Sequence, residues 1–176
     1  MKKILVIGSG GSGKSTLSKR LGEKLGLEVF HLDKFYWRSG WVKPDSNEWV
    51  QTVEELLIRD AWIIDGNYGG TLIRRVEACD TIVFLDLSKI VCLWRIFKRR
   101  LSYRQQARPD MAEGCFERLN LEFVSWVLNY SRRSRPKVLE LIRLNAVDKK
   151  IVWLKSPQQV KAFLASLELP SPEHSL

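Results

Sequence analysis

The stretch Gly8-Ser9-Gly10-Gly11-Ser12-Gly13-Lys14-Ser15 follows directly on the apolar run Ile4-Leu5-Val6-Ile7. Its spacing is G-x-x-x-x-G-K-[ST], the pattern of the phosphate-binding P-loop. Small residues let the backbone curl around an anion, so that successive N–H groups and the positive end of the following helix face it. In such a loop Lys14 reaches the β- and γ-phosphates of a nucleotide, and the Ser15 hydroxyl binds Mg²⁺. The sequence therefore predicts a strand, a phosphate-binding loop that extends to Thr16, and a helix.

The same letters also fit a second motif, because Gly8, Gly10 and Gly13 spell the G-x-G-x-x-G of dinucleotide-binding folds. Asp33 stands about 20 residues further on, where such folds place an acid on the ribose. A dinucleotide site has no use for Lys14-Ser15 at the helix start, and a tight turn without a ligand leaves both residues unexplained. We therefore interpret the segment as a P-loop.

The basic character of the chain is concentrated in one block. The net charge of the 176 residues is +9, and residues 88–143 hold 13 Lys and Arg against 5 Asp and Glu. Such a block fits a nucleic acid or a small polyanion such as a nucleotide, and it also fits a solvated helix face. Charge alone does not choose between these interpretations.

Length and composition predict one globular domain over residues 1–169, followed by a disordered tail over 170–176. The three cysteines show no C-x-x-C spacing, which is typical of a reducing cytosol. We therefore expect a cytoplasmic protein. No membrane span is predicted, since the apolar stretch 82–97 is interrupted by Asp86, Lys89 and Arg95.

Apolar, β-branched runs alternate with helical patterns along the chain, which indicates an α/β fold built from βαβ units around a parallel sheet. Residues near the carboxyl ends of such strands are the natural place for a ligand site. The five predicted strands are 3–7, 29–33, 61–65, 81–86 and 150–154.

Three other segments carry further expectations. Residues 34–43 hold four aromatic side chains without periodicity, so they predict a loop that either caps the core or forms a pocket wall over a flat substrate. Residues 105–117 lose the helical pattern and predict a mobile loop, which we take as a candidate lid. A helix over 88–104 is predicted, with an apolar stripe formed by Ile90, Leu93, Trp94, Phe97 and Leu101.

Three of the five predicted strands end in aspartate: Asp33, Asp65 and Asp86. We predict that Asp65, which ends its strand next to Gly66, holds Mg²⁺ or its waters. The alternative is that Asp65 only starts a turn. Asp33 is predicted to act as a general base toward an acceptor hydroxyl, to share the water shell of the metal, or to cap a helix or a loop. Asp86 fits a helix cap, and His31, on the same strand face as Asp33, is expected to be structural.

Phosphoryl transfer also needs cations that neutralise charge on the moving group. Two basic clusters flank the candidate lid, an arrangement that suits closure over ATP, with a solvated basic face as the alternative. The residues concerned are Arg95 and Arg99, four apart on one helix face, and Arg132, Arg133 and Arg135, where two later helices meet.

With these residues placed, the chain resembles the adenylate-kinase-like P-loop small-molecule kinases, and within them the bacterial topology modulation proteins. The resemblance covers nearly the whole chain, and the P-loop is its most specific element. Its other carriers are Leu32-Asp33, Trp37 to Val42, Trp62 to Tyr68, Leu93 to Ile96, Arg108 to Met111 and Ser131 to Pro136.

The resemblance implies a P-loop NTPase fold with a helical lid and a five-stranded parallel sheet in the order 2-3-1-4-5, covered by helices on both faces. It further implies that Arg95 packs on adenine, that Arg99 reaches a phosphate, and that Ser156-Pro157 lies beside the adenine. One departure is that Asn67-Tyr68-Gly69 replaces the Phe-Pro-Arg of adenylate kinases, which disfavours a nucleoside monophosphate as acceptor. Asp33 is closer to shikimate- and gluconate-type kinases, in which such an acid faces an acceptor hydroxyl.

Residues and resemblance together predict an ATP- and Mg²⁺-dependent phosphotransferase that acts on a small molecule. Lys14 and the loop amides would hold the phosphates, and Ser15 and Asp65 the magnesium. The acceptor stays open, since the aromatic segment suits a nucleobase whereas Asp33 suits a hydroxyl. The alternative is a nucleotide-regulated protein that binds DNA non-specifically through the 88–143 block. A GTPase switch is disfavoured, because the sequence has no Asn-Lys-x-Asp element.

Overall fold

The computed structural model describes residues 1–102, 111, 114–115 and 121–167. Most of the predicted lid and the whole predicted tail lie outside these described residues. Among the described helices, none is both long enough and apolar enough to cross a membrane.

The sheet consists of the strands β1 (Lys3–Gly8), β2 (Val29–His31), β3 (Trp62–Asp65), β4 (Thr81–Leu85) and β5 (Lys150–Leu154). All neighbouring strands are parallel, in the order β2-β3-β1-β4-β5. The central β1 places Leu5 between Ile64 and Ile82. Both faces of β1 are covered, which is why a continuous apolar run forms this strand. The structure confirms the predicted fold class and strand order.

Eight helices are described: α1 (Lys14–Leu25), α2 (Leu32–Tyr36), α3 (Ser46–Leu57), α4 (Gly69–Ala78), α5 (Lys89–Ser102), α6 (Leu121–Arg133), α7 (Arg135–Asn145) and α8 (Pro157–Ser166). Trp49 of α3, Leu72 of α4 and Val138 of α7 belong to the apolar core on one face of the sheet. The other face is covered by α1, α5, α6 and α8, which contribute the residues Leu17, Ile96, Val127 and Leu164.

The segment after β2 differs from the prediction. The strand ends at His31 rather than at Asp33, and Asp33 lies in the first turn of α2. A carboxylate there interacts favourably with the positive end of the helix. The predicted loop 34–43 contains the end of α2 and a short 3₁₀ turn, Ser39–Trp41. The helix thus begins at Leu32, within the apolar pattern that suggested a longer strand.

The apolar stripe predicted for α5 is also corrected, because most of it faces solvent. Cys92 and Ile96 are the buried residues of this helix. The inward face of α5 packs closely against the phosphate loop. A Cβ on Gly11 of the loop would lie only 2.8 Å from the side chain of Ile96. The exposed members of the predicted stripe are Ile90, Trp94, Phe97 and Leu101.

Candidate active site

The loop between β1 and α1 has the backbone of an anion cradle. Gly13, the residue before α1, has φ = +94°, a conformation that residues with a Cβ rarely adopt. It has no side chain with which to cap the helix, so the first amides of α1 are left for an anion. The Lys14 ammonium donates hydrogen bonds to the carbonyl oxygens of Gly8 and Ser9, both at 3.0 Å.

Helices α5 and α6 support the outer side of this loop. A Cβ on Gly10 would lie 2.6 Å from the ring of Phe123, so the close approach of α6 requires glycine at this position. From α5, the Nη1 of Arg95 donates a hydrogen bond to the Ser12 carbonyl oxygen at 2.7 Å. Arg95 therefore contacts the phosphate loop directly, and its predicted packing on adenine stays a prediction.

The loop residues fit a nucleotide with bound magnesium. The Ser12 hydroxyl is buried and has no hydrogen-bond partner among the described residues, and Ser15 lies half-buried in the first turn of α1. Within the described part of the chain, no three His, Cys, Asp or Glu side chains group together to hold a metal ion. Mg²⁺ needs only one or two protein ligands when phosphates and waters supply the others. Ser15 and Asp65 are the residues that would hold it.

Asn67 joins the loop after β3 to the start of the phosphate loop. Its Nδ2 donates to the Gly8 carbonyl oxygen at 2.7 Å, and the Gly8 amide donates to its Oδ1 at 3.2 Å. The amide side chain thus satisfies both backbone groups of Gly8 at once. The departure from Phe-Pro-Arg noted in the sequence therefore has a structural use, since Asn67 fixes where the phosphate loop begins.

A buried arginine organises the loop that carries Asn67. Arg75, on α4, is 0% exposed, and its guanidinium donates to the carbonyl oxygens of Gly66, Asn67 and Tyr68 at 2.7, 2.8 and 2.8 Å. Burial lowers the pKa of Arg75 to about 9, so the group stays protonated at neutral pH. Three carbonyl oxygens compensate the desolvated charge.

Asp65 is held by a neighbouring histidine. His31 and Asp65 are paired across β2 and β3, and the Nδ1 of His31 lies 2.7 Å from Oδ2 of Asp65. Asp65 is only 3% exposed, so this contact restricts the orientation of its carboxylate. His31 is thus a positioning residue for the acid that the sequence assigned to the metal.

Asp33 has its own partner in Tyr68. The Tyr68 hydroxyl donates a hydrogen bond to Oδ1 of Asp33 at 2.5 Å. Burial, and after it the charge of Asp33, raises the pKa of Tyr68, so this phenol remains a donor at neutral pH. A donated hydrogen bond stabilises the ionised form of a carboxylate.

Lys14 brings these two acids into one site. Burial lowers the pKa of Lys14, whereas the charges of Asp33 and Asp65 raise it. The contacts agree with this, because Asp65 lies in register with Val6 of β1 and Lys14 donates to Gly8, two residues further along. Three residues that are far apart in the sequence therefore converge at the carboxyl edge of the sheet.

An aromatic cluster surrounds Tyr68. The rings of Tyr36 and Trp49 lie 4.4 and 5.0 Å from that of Tyr68. Trp37 lies 5.0 Å from Tyr36, and Trp41 lies 5.2 Å from Trp37. Trp49 is buried, whereas Tyr36, Trp37 and Trp41 are partly exposed. Trp49 belongs to the core, and Tyr36 and Tyr68 pack against it, so the cluster covers the core. A pocket wall over a flat substrate stays a prediction.

The cap predicted at Asp86-Leu87-Ser88 is made by Ser88, whose hydroxyl accepts from the Val91 amide at 3.4 Å. Asp86 has a different role. It accepts two hydrogen bonds from Arg135, both at 2.8 Å, and one from Trp153 Nε1 at 3.0 Å. Arg135, predicted to face the phosphates, is therefore engaged by Asp86 at the ends of β4 and β5.

The remaining arginines of the two predicted clusters differ in their surroundings. Arg99 is half-buried on α5, and its positive charge helps to lower the pKa of Lys14. An effect of this kind requires Arg99 to lie on the same side of the domain as the phosphate loop. Arg132 and Arg133 are exposed at the end of α6. A role for these two in charge neutralisation stays a prediction.

Ser156 and Pro157 begin the last described helix. The Ser156 hydroxyl accepts from the Gln159 amide at 3.2 Å, so Ser156 caps α8, and Pro157 is the first residue of that helix. Proline is favoured at this position because its missing N–H would have no partner within the helix. The predicted contact of this pair with adenine stays a prediction.

Sequence reasoning gave no site role to His31, Asn67, Tyr68 or Arg75. Two signals were present in the sequence. Asn67-Tyr68 follows Asp65-Gly66 where related kinases have a different motif, and Arg75 is a charged residue next to Val76 in the buried stripe of α4. A charge at such a position indicates a buried acceptor, which in this protein is the backbone of the loop before the helix.

Comparison with the sequences of known proteins gives one uncharacterized relative. No protein-family profile matches the chain. The uncharacterized protein YqaC of Bacillus subtilis is 25% identical over 133 residues, which is 73% of this chain and 72% of that protein. Because that relative is uncharacterized, the resemblance to topology modulation proteins stays a prediction.

Solved structures of kinases share this architecture. Shikimate kinase from Acinetobacter baumannii, in complex with shikimate, aligns with a TM-score of 0.58 at 15% identity, over 94% of this chain and 89% of that one. A sugar kinase from Janibacter sp. aligns with a TM-score of 0.52 at 15% identity, over 97% and 96% of the two chains. The chain therefore has the fold of P-loop kinases.

Replacement of Arg75 with Ala should lower the free energy of unfolding by about 3 kcal/mol or more, because three buried carbonyl oxygens lose their donor. The neighbouring Arg74, about half exposed and paired with Glu54, is the matched control. We expect Arg74→Ala to cost less than about 1 kcal/mol. Urea unfolding measures both, and equal losses would contradict the role assigned to Arg75.

Asp86 predicts a pH-dependent contribution to stability. Burial acts to raise its pKa, but the hydrogen bonds from Arg135 and Trp153 outweigh burial and hold the pKa below its ordinary value. Such a contribution is present above the pKa of the unfolded chain and is lost as the pH falls through the lower pKa of the folded state.

We therefore expect Asp86→Asn to lower the free energy of unfolding by about 1–3 kcal/mol at pH 7. The difference from the native protein should shrink below about pH 4. Unfolding curves between pH 3 and 7 test this, with Asp60→Asn, at an exposed position, as control. A loss that is constant with pH would show that the charge of Asp86 is not its cause.

Proposed function

We propose that the protein is an ATP- and Mg²⁺-dependent phosphotransferase that transfers the γ-phosphoryl group to a hydroxyl of a small molecule. The observation that carries this proposal is the grouping of Lys14, Asp33 and Asp65 around the start of the phosphate loop. Lys14 donates to Gly8, Asp65 lies beside Val6, and Tyr68 donates to Asp33. The loop supplies a nucleotide site, one acid suits the metal, and the other suits the acceptor.

On the donor side, the loop amides and the Lys14 ammonium would hold the phosphates and neutralise their charge. A bound Mg²⁺ would supply positive charge that reduces the repulsion between the phosphates and the incoming nucleophile. Ser15 would bind it through its hydroxyl, and Asp65 would orient its waters while His31 keeps the carboxylate in place. Arg95, already hydrogen-bonded to the loop, would add positive charge beside the nucleotide.

On the acceptor side, we assign Asp33 as the general base. Its carboxylate would accept the proton of the acceptor hydroxyl as the oxygen–phosphorus bond forms and ADP leaves. The hydrogen bond from the Tyr68 hydroxyl would fix the orientation of the Asp33 carboxylate. The partly exposed rings of Tyr36, Trp37 and Trp41 would provide a wall for the body of the acceptor.

Two structures with this fold are kinases of shikimate and of a sugar, which supports a hydroxyl compound as the acceptor class. The replacement of Phe-Pro-Arg by Asn67-Tyr68-Gly69 points in the same direction, since that arginine would help to bind a monophosphate. Direct DNA binding through the 88–143 block stays a prediction. Two cations of that block, Arg95 and Arg135, are hydrogen-bonded within the domain.

The proposal is tested by measuring ADP release from ATP and Mg²⁺ over a panel of nucleosides, sugars and hydroxy acids. We expect one class to stimulate turnover and the Lys14→Ala variant to lose at least about 100-fold in kcat, because the transferring phosphate loses its main cation. Lys19→Ala, an exposed position on α1, should leave turnover unchanged. Equal turnover by the Lys14→Ala variant would refute the proposed site.

The role of Asp33 is separated from that of Asp65 by its response to the metal. If Asp33 is the base, Asp33→Asn lowers kcat by at least about 100-fold and leaves the Mg²⁺ concentration for half-maximal turnover unchanged. Asp65→Asn should instead raise that concentration. A raised Mg²⁺ requirement in Asp33→Asn would assign Asp33 to the water shell of the metal.

A further inference from the structure

Helix α5 has two apolar faces, and one of them points away from the domain. Cys92 and Ile96 are buried against the body of the protein. At 3.6 residues per turn, the opposite side lies roughly 160° around the helix from this pair. That side carries four large side chains, termed the α5 stripe, which are 74%, 65%, 53% and 60% exposed: Ile90, Trp94, Phe97 and Leu101.

The α5 stripe is large for a surface without a partner. Its members follow one another at helical spacing, so their side chains adjoin. With about 200 Å² for each large side chain, they expose on the order of 500 Å² of apolar surface. Patches of this size commonly mark an interaction site.

The spacing within the α5 stripe indicates what covers it. Successive members are separated by 4, 3 and 4 residues, which is the spacing of the seam of a coiled coil. The spacing 4-3-4 is the same whether the helix is followed from its first residue or from its last. A helix with such a seam can therefore pack against an antiparallel copy of itself, with every contact made twice.

We propose that the α5 stripe is the interface of a homodimer in which two copies of α5 pack antiparallel. The two-fold axis passes between residues 95 and 96. Ile90 then lies opposite Leu101 of the second copy, and Trp94 lies opposite Phe97. An offset pair of aromatic rings at the centre adds to the burial of apolar surface.

The residues beside the α5 stripe fit a second copy of the helix. In the antiparallel arrangement Lys98 of one copy flanks Val91 of the other, and Arg100 flanks Leu93. Each cation meets an apolar side chain, over which its methylene groups can lie, and like charges do not oppose each other. Each edge of the stripe carries one cation, Lys98 or Arg100, and one apolar residue, Val91 or Leu93.

The buried area predicts a reversible dimer. Two stripes together remove on the order of 1,000 Å² from water, which is near the lower limit of specific protein–protein interfaces. We therefore expect a dissociation constant in the micromolar range. The inner side of α5, where Arg95 contacts the phosphate loop, stays outside this interface. The dimer can thus be tested without reference to catalytic activity.

Sedimentation equilibrium of the full chain from about 1 to 200 µM tests the proposal. The native mass should rise from that of one chain towards that of two. We expect Trp94→Glu to raise the dissociation constant at least ten-fold, since it buries two charges at the centre of the interface. The control is Ile58→Glu, at a position that is 80% exposed and outside the stripe. It should dimerise like the native chain, and circular dichroism verifies that both variants are folded.

Cross-linking tests the antiparallel direction. An equimolar mixture of the Ile90→Cys and Leu101→Cys variants, treated with a short thiol cross-linker, should give a covalent dimer containing both. Each variant alone should give much less. Strong cross-linking of Ile90→Cys alone would overturn the antiparallel arrangement.

Three results would overturn the interface itself. One is a native chain that stays monomeric up to 200 µM. Another is a dimer that Trp94→Glu does not weaken. The third is a monomer that sediments with phosphatidylserine vesicles and loses this binding in Trp94→Glu, since the stripe would then be a membrane contact.

Discussion

The pairing of the Asn67 amide with both backbone groups of Gly8 is the constraint on which the site depends. Gly8 is the point where the central strand becomes the phosphate loop, so its position sets where the following amides can meet an anion. Arg75 binds the carbonyl oxygens around Asn67 and so helps to hold the amide side chain where it reaches Gly8. A fully buried cation on α4 thereby fixes the loop between β3 and α4.

The same loop also orders the acidic side of the site. Asp65 ends the strand before Asn67 and contacts His31, whereas Tyr68 follows Asn67 and donates to Asp33. One short segment therefore positions the phosphate loop and both carboxylates. The phosphate loop and the two carboxylates share a few buried polar contacts. We therefore expect the effects of substitutions at these residues to be non-additive.

The sequence predicted the fold well, because the P-loop and the alternation of apolar strands with helices leave few arrangements of the sheet. The structure groups Lys14, Asp33 and Asp65, whose catalytic and metal-binding roles stay predictions. The sequence could not predict that Arg75 binds backbone carbonyls, since that depends on tertiary burial. The sequence also placed the α5 stripe on the inner face of its helix. Periodicity identifies an apolar face but does not say which face packs inward. On α5 the inward face carries Cys92 and Ile96.

Calorimetric titration of ATP with Mg²⁺ into the native chain and into Asn67→Ala tests the central claim most directly. We expect one site per chain in the native protein. Affinity should be at least about ten-fold lower in Asn67→Ala, which removes both hydrogen bonds to Gly8 without removing a proposed nucleotide ligand. Equal affinities would contradict the role of Asn67 in holding the phosphate loop. A native chain that does not bind ATP would contradict the nucleotide site itself.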